Sequence, residues 1–372
     1  MRKLTVVVTC SDRKSQPVAP DLRLRDVPEE HPESRAHAWD GRLRRAAQHH
    51  PGSQRPLATL YQGDHWAQAQ TLPAAAARVG FHADLWVASA GLGLQPITAQ
   101  APAYAATFAA RHLDRVAADA CGRQQWWAAL QARRGASTLA DLARAGSLLM
   151  IFSEDYGHAV QEELHAVAHV GADALLIGGA SDIDGLPRLA ADRRLRSHLG
   201  GTLTSLNVRT ALAWLQRLSP STTTSSGSAL ATTAGPLVGG PTLTSTAAWR
   251  RWRRWSTAHA HEEVYDRRPL SDEQVRAYIG TRHALMARPS RTTLLRALRE
   301  DGYACEQSRF GHLYTQVLQH LAEQDAHHDA EQDVGLDIAE ASGHSKRGIV
   351  QSTQRARHGP SPGRDQVAGG AA

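Results

Sequence analysis

The sequence predicts an α/β protein: a mainly parallel sheet with helices on both faces, followed by a smaller helical C-terminal module of helix-turn-helix-like outline. Three observations predict it. Short apolar, β-branched runs alternate with amphipathic stretches through residues 1–218. A Ser/Thr/Gly/Pro-rich stretch then interrupts the pattern at 219–246. After it the helical periodicity returns, dominated by arginine.

The elements justify this in order. Leu4–Thr9 is a strand, Ser34–His50 a helix, and Asp64–Val79 a second helix ending at Gly80. Asp84–Ser89 is a short buried strand that stops at Gly91, and Ala103–Arg134 reads as one long helical stretch. Leu148–Phe152 is a strand, His158–Val170 a helix and Ala174–Gly179 a strand; Thr202–Leu206 and the helix Val208–Leu218 close the series. Apolar strands alternating with amphipathic helices argue for parallel pairing with both faces covered. Residues 219–246 read as a linker, 247–322 as a helical nucleic-acid-binding module and 323–372 as a disordered tail.

Composition bounds the function. The chain of 372 residues is 42% hydrophobic and 21% charged, ordinary for globular domains. No apolar run is long enough to cross a membrane, and Met1–Val8 is too short for a signal-peptide core, so a cytoplasmic protein without a membrane partner is expected. Cys10, Cys121 and Cys305 show no CxxC spacing, which argues against a disulfide framework and a zinc finger. The acidic and histidine residues Asp325, His327, His328 and Asp329 have nothing flanking them to fix a coordination geometry. No metal and no cofactor is therefore expected.

Charge placement is more informative than its total. Of the net +6, a net +5 falls between Trp249 and Phe310, where 13 Arg face eight Asp and Glu. Such a concentration is the electrostatic footprint of phosphate binding, and DNA is the expected partner. The sequence shows no dimerisation seam and leaves the oligomeric state open. Basic residues are otherwise so uniformly Arg that the three lysines stand out. Lys14 draws notice because an ammonium, unlike a guanidinium, loses its proton readily.

In open α/β sheets ligands gather at the carboxyl ends of the strands. The first strand runs into Thr9-Cys10-Ser11-Asp12-Arg13-Lys14-Ser15, a loop suited to a phosphate or sugar through Ser11, Ser15 and backbone N–H groups. It lacks the glycines of a P-loop or dinucleotide fingerprint. The strand ending at Ser89 runs into Ala90-Gly91-Leu92-Gly93-Leu94, where Gly91 and Gly93 permit close backbone approach to a ligand. Between them, Asp64 is a plausible N-cap, Tyr61 and Trp66 offer flat faces for a base, and His65 offers a ring nitrogen. A core aromatic and a cap explain the same residues equally well. Glu154, Asp155 and Asp182 follow later strands and compete with Asp12 as general bases.

In the C-terminal module, Ser271–Ala284, Ser290–Glu300 and Glu306–Leu321 read as three helices, with Gly302 breaking the last two apart. Arg291 begins the second, and Arg309 and His312, with Gln307 beside them, fall on the exposed face expected of a recognition helix. Upstream, Trp249, Trp252 and Trp255 share one helical side, a docking face more than a base-stacking one. Arg250, Arg251, Arg253 and Arg254 beside them suit phosphates.

Three motifs carry a resemblance: Val-Thr-Cys-Ser-Asp-Arg-Lys ending at Lys14, Leu-Tyr-Gln-Gly-Asp-His-Trp ending at Trp66, and Ser-Ala-Gly-Leu-Gly-Leu ending at Leu94. Together they resemble an uncharacterised α/β domain family of bacteria and phages, itself similar to the archaeosine synthase core and to uracil-DNA-glycosylase-like folds. The resemblance covers about residues 4–215. This chain departs from it at Gln95-Pro96-Ile97-Thr98, where the family pattern continues with an acidic residue and a Tyr-Asp pair.

The resemblance implies a DNA glycosylase, cleaving the N-glycosidic bond of a flipped, modified base through an oxocarbenium-like transition state, in defence against phage. Asp12 would orient water, Lys14 or His65 would serve the departing base, and Tyr61 or Trp66 would stack on it. Ser11, Ser89, Gly91, Gly93, Glu154 and Asp182 would complete the pocket. Lys14 attacking the sugar to form a Schiff base is the variant chemistry. A non-catalytic DNA-binding regulator and a tRNA base-modifying enzyme of the archaeosine type are the competing expectations.

Overall fold

A computed structural model describes residues 1–28, 31–134, 137–218, 241–262, 266–286 and 289–324. Residues 219–240 of the expected linker, the tail from 325 on and its His/Asp cluster lie outside the described residues. The chain divides into two compact units, Met1–Glu263 and Val264–Ala372.

The first unit is built on a six-stranded sheet: β1 (Arg2–Thr9), β2 (Phe81–Ser89), β3 (Gly93–Pro96), β4 (Ser147–Phe152), β5 (Ala174–Gly178) and β6 (Arg188–Leu189). Their spatial order is β3-β2-β1-β4-β5-β6, and all neighbours run parallel except the β2–β3 pair. The parallel strands thus run outward in both directions from β1, the doubly wound order whose reversal creates a crevice between the carboxyl ends of β1 and β4. Val6, Val7 and Val8 are all fully buried, as successive side chains can be only when both faces of the sheet are covered.

The covering helices are α1 (Pro32–His49), α2 (Asp64–Ala69), α3 (Leu72–Ala77), α4 (Ala120–Arg134), α5 (Leu139–Ala145), α6 (Glu154–Ala159), α7 (Gln161–Val170) and α8 (Leu206–Gln216). The sequence expected one helix over Asp64–Val79; a break at Gln70 and Thr71 divides it. It expected helix from Ala103, but residues 102–119 are irregular and only Ala120–Arg134 is helical. Tyr104 and Phe108 are both fully buried there, so tertiary packing overrides the alanine-rich propensity. Thr202–Leu206 is not a strand: a Thr202 capping box opens a short 3-10 turn that leads into α8.

The arginine-rich helix α9 (Thr246–His259) was expected with the C-terminal module, but it packs in the first unit. Its tryptophans cover the fully buried Trp214 of α8, with Trp249 and Trp252 at ring-centroid distances of 4.7 and 6.0 Å. Asp173 fixes the preceding segment by accepting from the Leu243 and Thr244 N–H groups. The stripe is a docking face.

In the second unit, α10 (Asp272–Leu285), α11 (Arg291–Glu300) and a helix over residues 307–324, α12, enclose Val275, Ile279, Leu294, Leu298 and Phe310. Ser271 and Ser290 cap the first two. Gly302, at φ +82°, turns the chain after α11. The connection 301–306 includes a two-residue strand (Tyr303–Ala304) paired in parallel with Arg268–Pro269.

Candidate functional site

The crevice beyond β1 and β4 is where the distinctive side chains meet. Cys10 follows β1 with its N–H on the Ala88 carbonyl at 3.0 Å. Its half-buried Sγ lies 3.2 Å from the hydroxyl of Tyr156, which enters from α6 at the end of β4. The Ala90 N–H donates to that same hydroxyl at 3.0 Å, which leaves the phenolic proton free to point at Sγ.

The loop after Cys10 then crosses to residues 60–62. Ser15 donates to the Leu60 carbonyl at 2.8 Å and Gln62 to the Arg13 carbonyl at 2.9 Å, so Lys14 sits opposite Tyr61. Here the Lys14 ammonium donates to the carbonyls of Ser11 and Asp12, each at 2.9 Å. It also lies over two aromatic rings, 4.7 Å from the centroid of Tyr104 and 5.4 Å from that of Tyr61. Burial lowers its pKa, while the neighbouring Cys10 and Asp12 act in the opposite sense.

Beneath the ammonium runs a directed chain of hydroxyls. Ser89 Oγ accepts from the N–H groups of Gly91 and Leu92, both at 3.1 Å, which uses its two lone pairs. Its own proton therefore goes to the Tyr104 hydroxyl at 2.5 Å, and the Tyr104 proton goes on to Tyr61 at 2.6 Å. Tyr61 is the donor end of the chain. Burial pushes Tyr61, Tyr104 and Tyr156 well above the usual phenol range, so all three stay neutral donors.

The expected site residues divide accordingly. Lys14 and Tyr61 form the centre, but Tyr61 is as buried as Trp66, its ring against Trp66 and the Lys14 ammonium, so it is not open to stack on a base as expected. Ser11 contributes its carbonyl to Lys14 and turns its Oγ to the Arg13 carbonyl. Asp12 is exposed and serves Lys14 through its carbonyl, whereas the sequence reading gave its carboxylate the role. His65 bonds the Thr9 carbonyl at 3.0 Å through Nε2, and burial lowers its pKa, so it is a neutral latch between β1 and α2. The preceding Asp64 fastens the same helix to α8 through Arg209 at 2.7 Å.

Trp66 corrects another expectation. It is buried, donates to the Ala58 carbonyl and packs edge-on to Tyr61, so its face is not open to a base. Ser89 and Gly91 are likewise interior. A Cβ on Gly91 would stand 2.5 Å from the Tyr104 ring, and one on Gly93, at φ +73°, 2.4 Å from Gln131 Oε1. The close approach these glycines permit is therefore to the protein's own side chains, and Gly93 begins β3. Glu154 and Asp182 are exposed at the ends of β4 and β5; Asp182 pairs with Arg188 at 2.9 Å. Cys10, Tyr104 and Tyr156 were missing from the expected set. Position alone, just after β1 and β4, signalled Cys10 and Tyr156; nothing in the sequence marked Tyr104.

The cationic residues also divide. Arg250, Arg253 and Arg254 are exposed on α9, but Arg251 caps α8 by donating to the carbonyls of Arg217 and Leu218. In the second unit Arg291 and His312 are exposed, and His312 Nε2 accepts from the Gln316 amide at 2.9 Å. Arg309 is held by Asp272 at 2.7 Å and by the Leu270 carbonyl, so it is a structural tie and not the free contact expected.

No family model, curated protein or solved structure matches this chain. Among the described residues no cluster of His, Cys, Asp or Glu is arranged to hold a metal ion, and no helix is long and apolar enough to cross a membrane.

Proposed function

We propose that the chain is a DNA glycosylase-like enzyme that cleaves the N-glycosidic bond of a modified base, with Lys14 as its nucleophile. One observation carries the proposal: a desolvated lysine amine held over two tyrosine rings at the topological switch point of a doubly wound sheet. Burial that lowers an amine's pKa is the means by which a lysine becomes a nucleophile near neutral pH. Lys14 thus attacks the sugar itself, the Schiff-base variant named above, in place of a water oriented by Asp12.

In this reading the neutral amine attacks C1′ of the sugar. The C1′–N bond breaks with its electron pair going to the base, and a proton released from the attacking nitrogen is taken up by that base. Opening of the C1′–O4′ bond, with a solvent proton going to O4′, gives a protonated Schiff base. Water then adds to C1′ and releases both the sugar aldehyde and the amine. The Tyr61 hydroxyl, at the end of a directed chain, supplies a neutral hydrogen bond to the departing base. The target nucleotide must leave the stack to reach the amine. Exposed arginines of α9 and of the C-terminal helices, in a helix-turn-helix-like role, supply phosphate contacts.

The test is incubation with genomic DNA from phages carrying ordinary and modified bases, then alkali and a denaturing gel. Base-specific breaks produced by the wild type and lost in Lys14→Ala are expected. Intact DNA under every condition, with DNA binding retained, would replace this reading with the non-catalytic one. Base release from tRNA alone would favour the RNA-modifying one.

A further inference from the structure

A cavity of about 220 Å³ opens in the first unit, lined by none of the residues gathered at Lys14. Gln68, His198, Arg209, Gln216, Arg217 and Trp255 line it. Its two guanidinium groups differ. Arg209 is consumed, donating to Asp64 at 2.7 Å, to Ser205 Oγ at 3.2 Å and to the Leu199 carbonyl at 3.2 Å. Arg217 has no carboxylate partner among the described residues. Its Nη1 donates to the Ala213 carbonyl, and its Cζ lies 3.7 Å from the Trp255 ring centroid.

A guanidinium carries five N–H donors in a rigid plane. With one directed at Ala213 and the plane laid against Trp255, donors remain for whatever enters the cavity. Partial burial draws Arg217 down to about 10, so it is still a cation at neutral pH, desolvated and without a countercharge. An anion is the missing partner. Trp255 is itself held in place, stacked on His259 at 5.2 Å.

We infer that this cavity is a phosphate-binding site, with Arg217 as the anchoring fork and the Gln68 and Gln216 amides and the His198 ring as further donors. A fork plus donors from separate elements suits a tetrahedral phosphate better than a planar carboxylate. The volume is below the roughly 300–1,000 Å³ of pockets that engulf a whole drug-sized ligand. It therefore takes a phosphate ester with the rest of the ligand outside, whether a free mononucleotide or one phosphate of a strand. The inference does not depend on the chemistry assigned to Lys14.

Calorimetric titration of the full chain with inorganic phosphate, adenosine 5′-monophosphate, acetate and a single-stranded oligonucleotide lacking terminal phosphates tests it. Saturable phosphate binding is expected, weakened about tenfold or more in Arg217→Gln, as for loss of a charge-assisted contact. Gln216→Glu, an exposed isosteric change that sets a carboxylate beside Arg217, should weaken it comparably without touching the core. Arg144→Gln, exposed on α5 and no part of the cavity lining, should leave it unchanged. The source is the mononucleotide if only its binding falls in Arg217→Gln, and the strand if the oligonucleotide's falls as well. No saturable binding of any phosphate probe, equal binding of acetate, or indifference to both Arg217→Gln and Gln216→Glu would overturn the site.

Discussion

The Lys14 ammonium lies 4.7 Å from the centre of the Tyr104 ring, and Tyr104 reaches it from an irregular segment remote in sequence from the loop carrying the lysine. The contact joins three parts of the chain, because Tyr104 also bonds Ser89 below and Tyr61 beside it. An ammonium placed there loses hydration and gains only two carbonyls and two ring faces in return. A cation so situated costs stability, which makes its retention informative.

That cost sets a pH-dependent prediction. In the unfolded chain Lys14 titrates near its ordinary 10.5, and in the fold it titrates lower. Between the two values the unfolded chain holds a proton that the folded chain has released, so stability rises with pH across that window. Below the window the buried charge is a standing penalty. Lys14→Met should therefore raise the urea midpoint at neutral pH, by an amount that shrinks as pH climbs toward the ordinary lysine value, while abolishing activity. Paired urea titrations at neutral and alkaline pH check this; a variant no more stable at either pH contradicts the buried-cation account.

The hydroxyl chain predicts a coupling. Tyr104→Phe strands the Ser89 proton and should cost about 1–3 kcal/mol. Gly91→Ala forces a methyl into the Tyr104 ring and should cost about as much through overpacking. In a Tyr104→Ala background the same Gly91 change meets only the Ala106 methyl, at 3.2 Å, and its cost should fall sharply. Additive costs in that double-mutant cycle would show that the ring is not what holds Gly91.

The boundary between the units is testable at Trp252, buried against Trp214. Trp252→Ala should destabilise the first unit by about 3–5 kcal/mol, the usual cost of deleting a core aromatic. Hydrogen exchange resolved by peptide should show faster exchange across α8 and the sheet. Loss of protection confined to residues beyond 263 would return α9 to the C-terminal module.

In that module the structure separates two arginines that the sequence treats alike. Arg291 is exposed, whereas Arg309 is tied to Asp272 and Leu270. If the module binds phosphates, Arg291→Gln should flatten the dependence of log K on log salt by about 0.9 for each phosphate that the arginine neutralises. Arg309→Gln should instead lower the unit's melting temperature. An unchanged slope in Arg291→Gln means that this residue neutralises no phosphate.

The alternation of strands and helices was legible because apolar periodicity reports it directly, and the docking role of the tryptophan stripe followed from spacing alone. The helix over Ala103–Arg134 was overextended because alanine propensity is local, while the burial of Tyr104 and Phe108 is decided by distant partners. The glycines after Ser89 were read as space for a ligand, since a sequence shows that a glycine gives room without showing what fills it. Lys14 stood out by composition, and its setting depended on Tyr61 and Tyr104 arriving from elsewhere. The antiparallel β3 and the switch point between β1 and β4 required the fold.

The central claim is that the Lys14 amine attacks the sugar, and borohydride trapping tests it most directly. Wild-type protein incubated with base-modified phage DNA and sodium borohydride should become covalently linked to DNA, and peptide mapping should place the adduct on Lys14. Base release that persists in Lys14→Ala, or release by the wild type with no adduct trapped at Lys14, would contradict it.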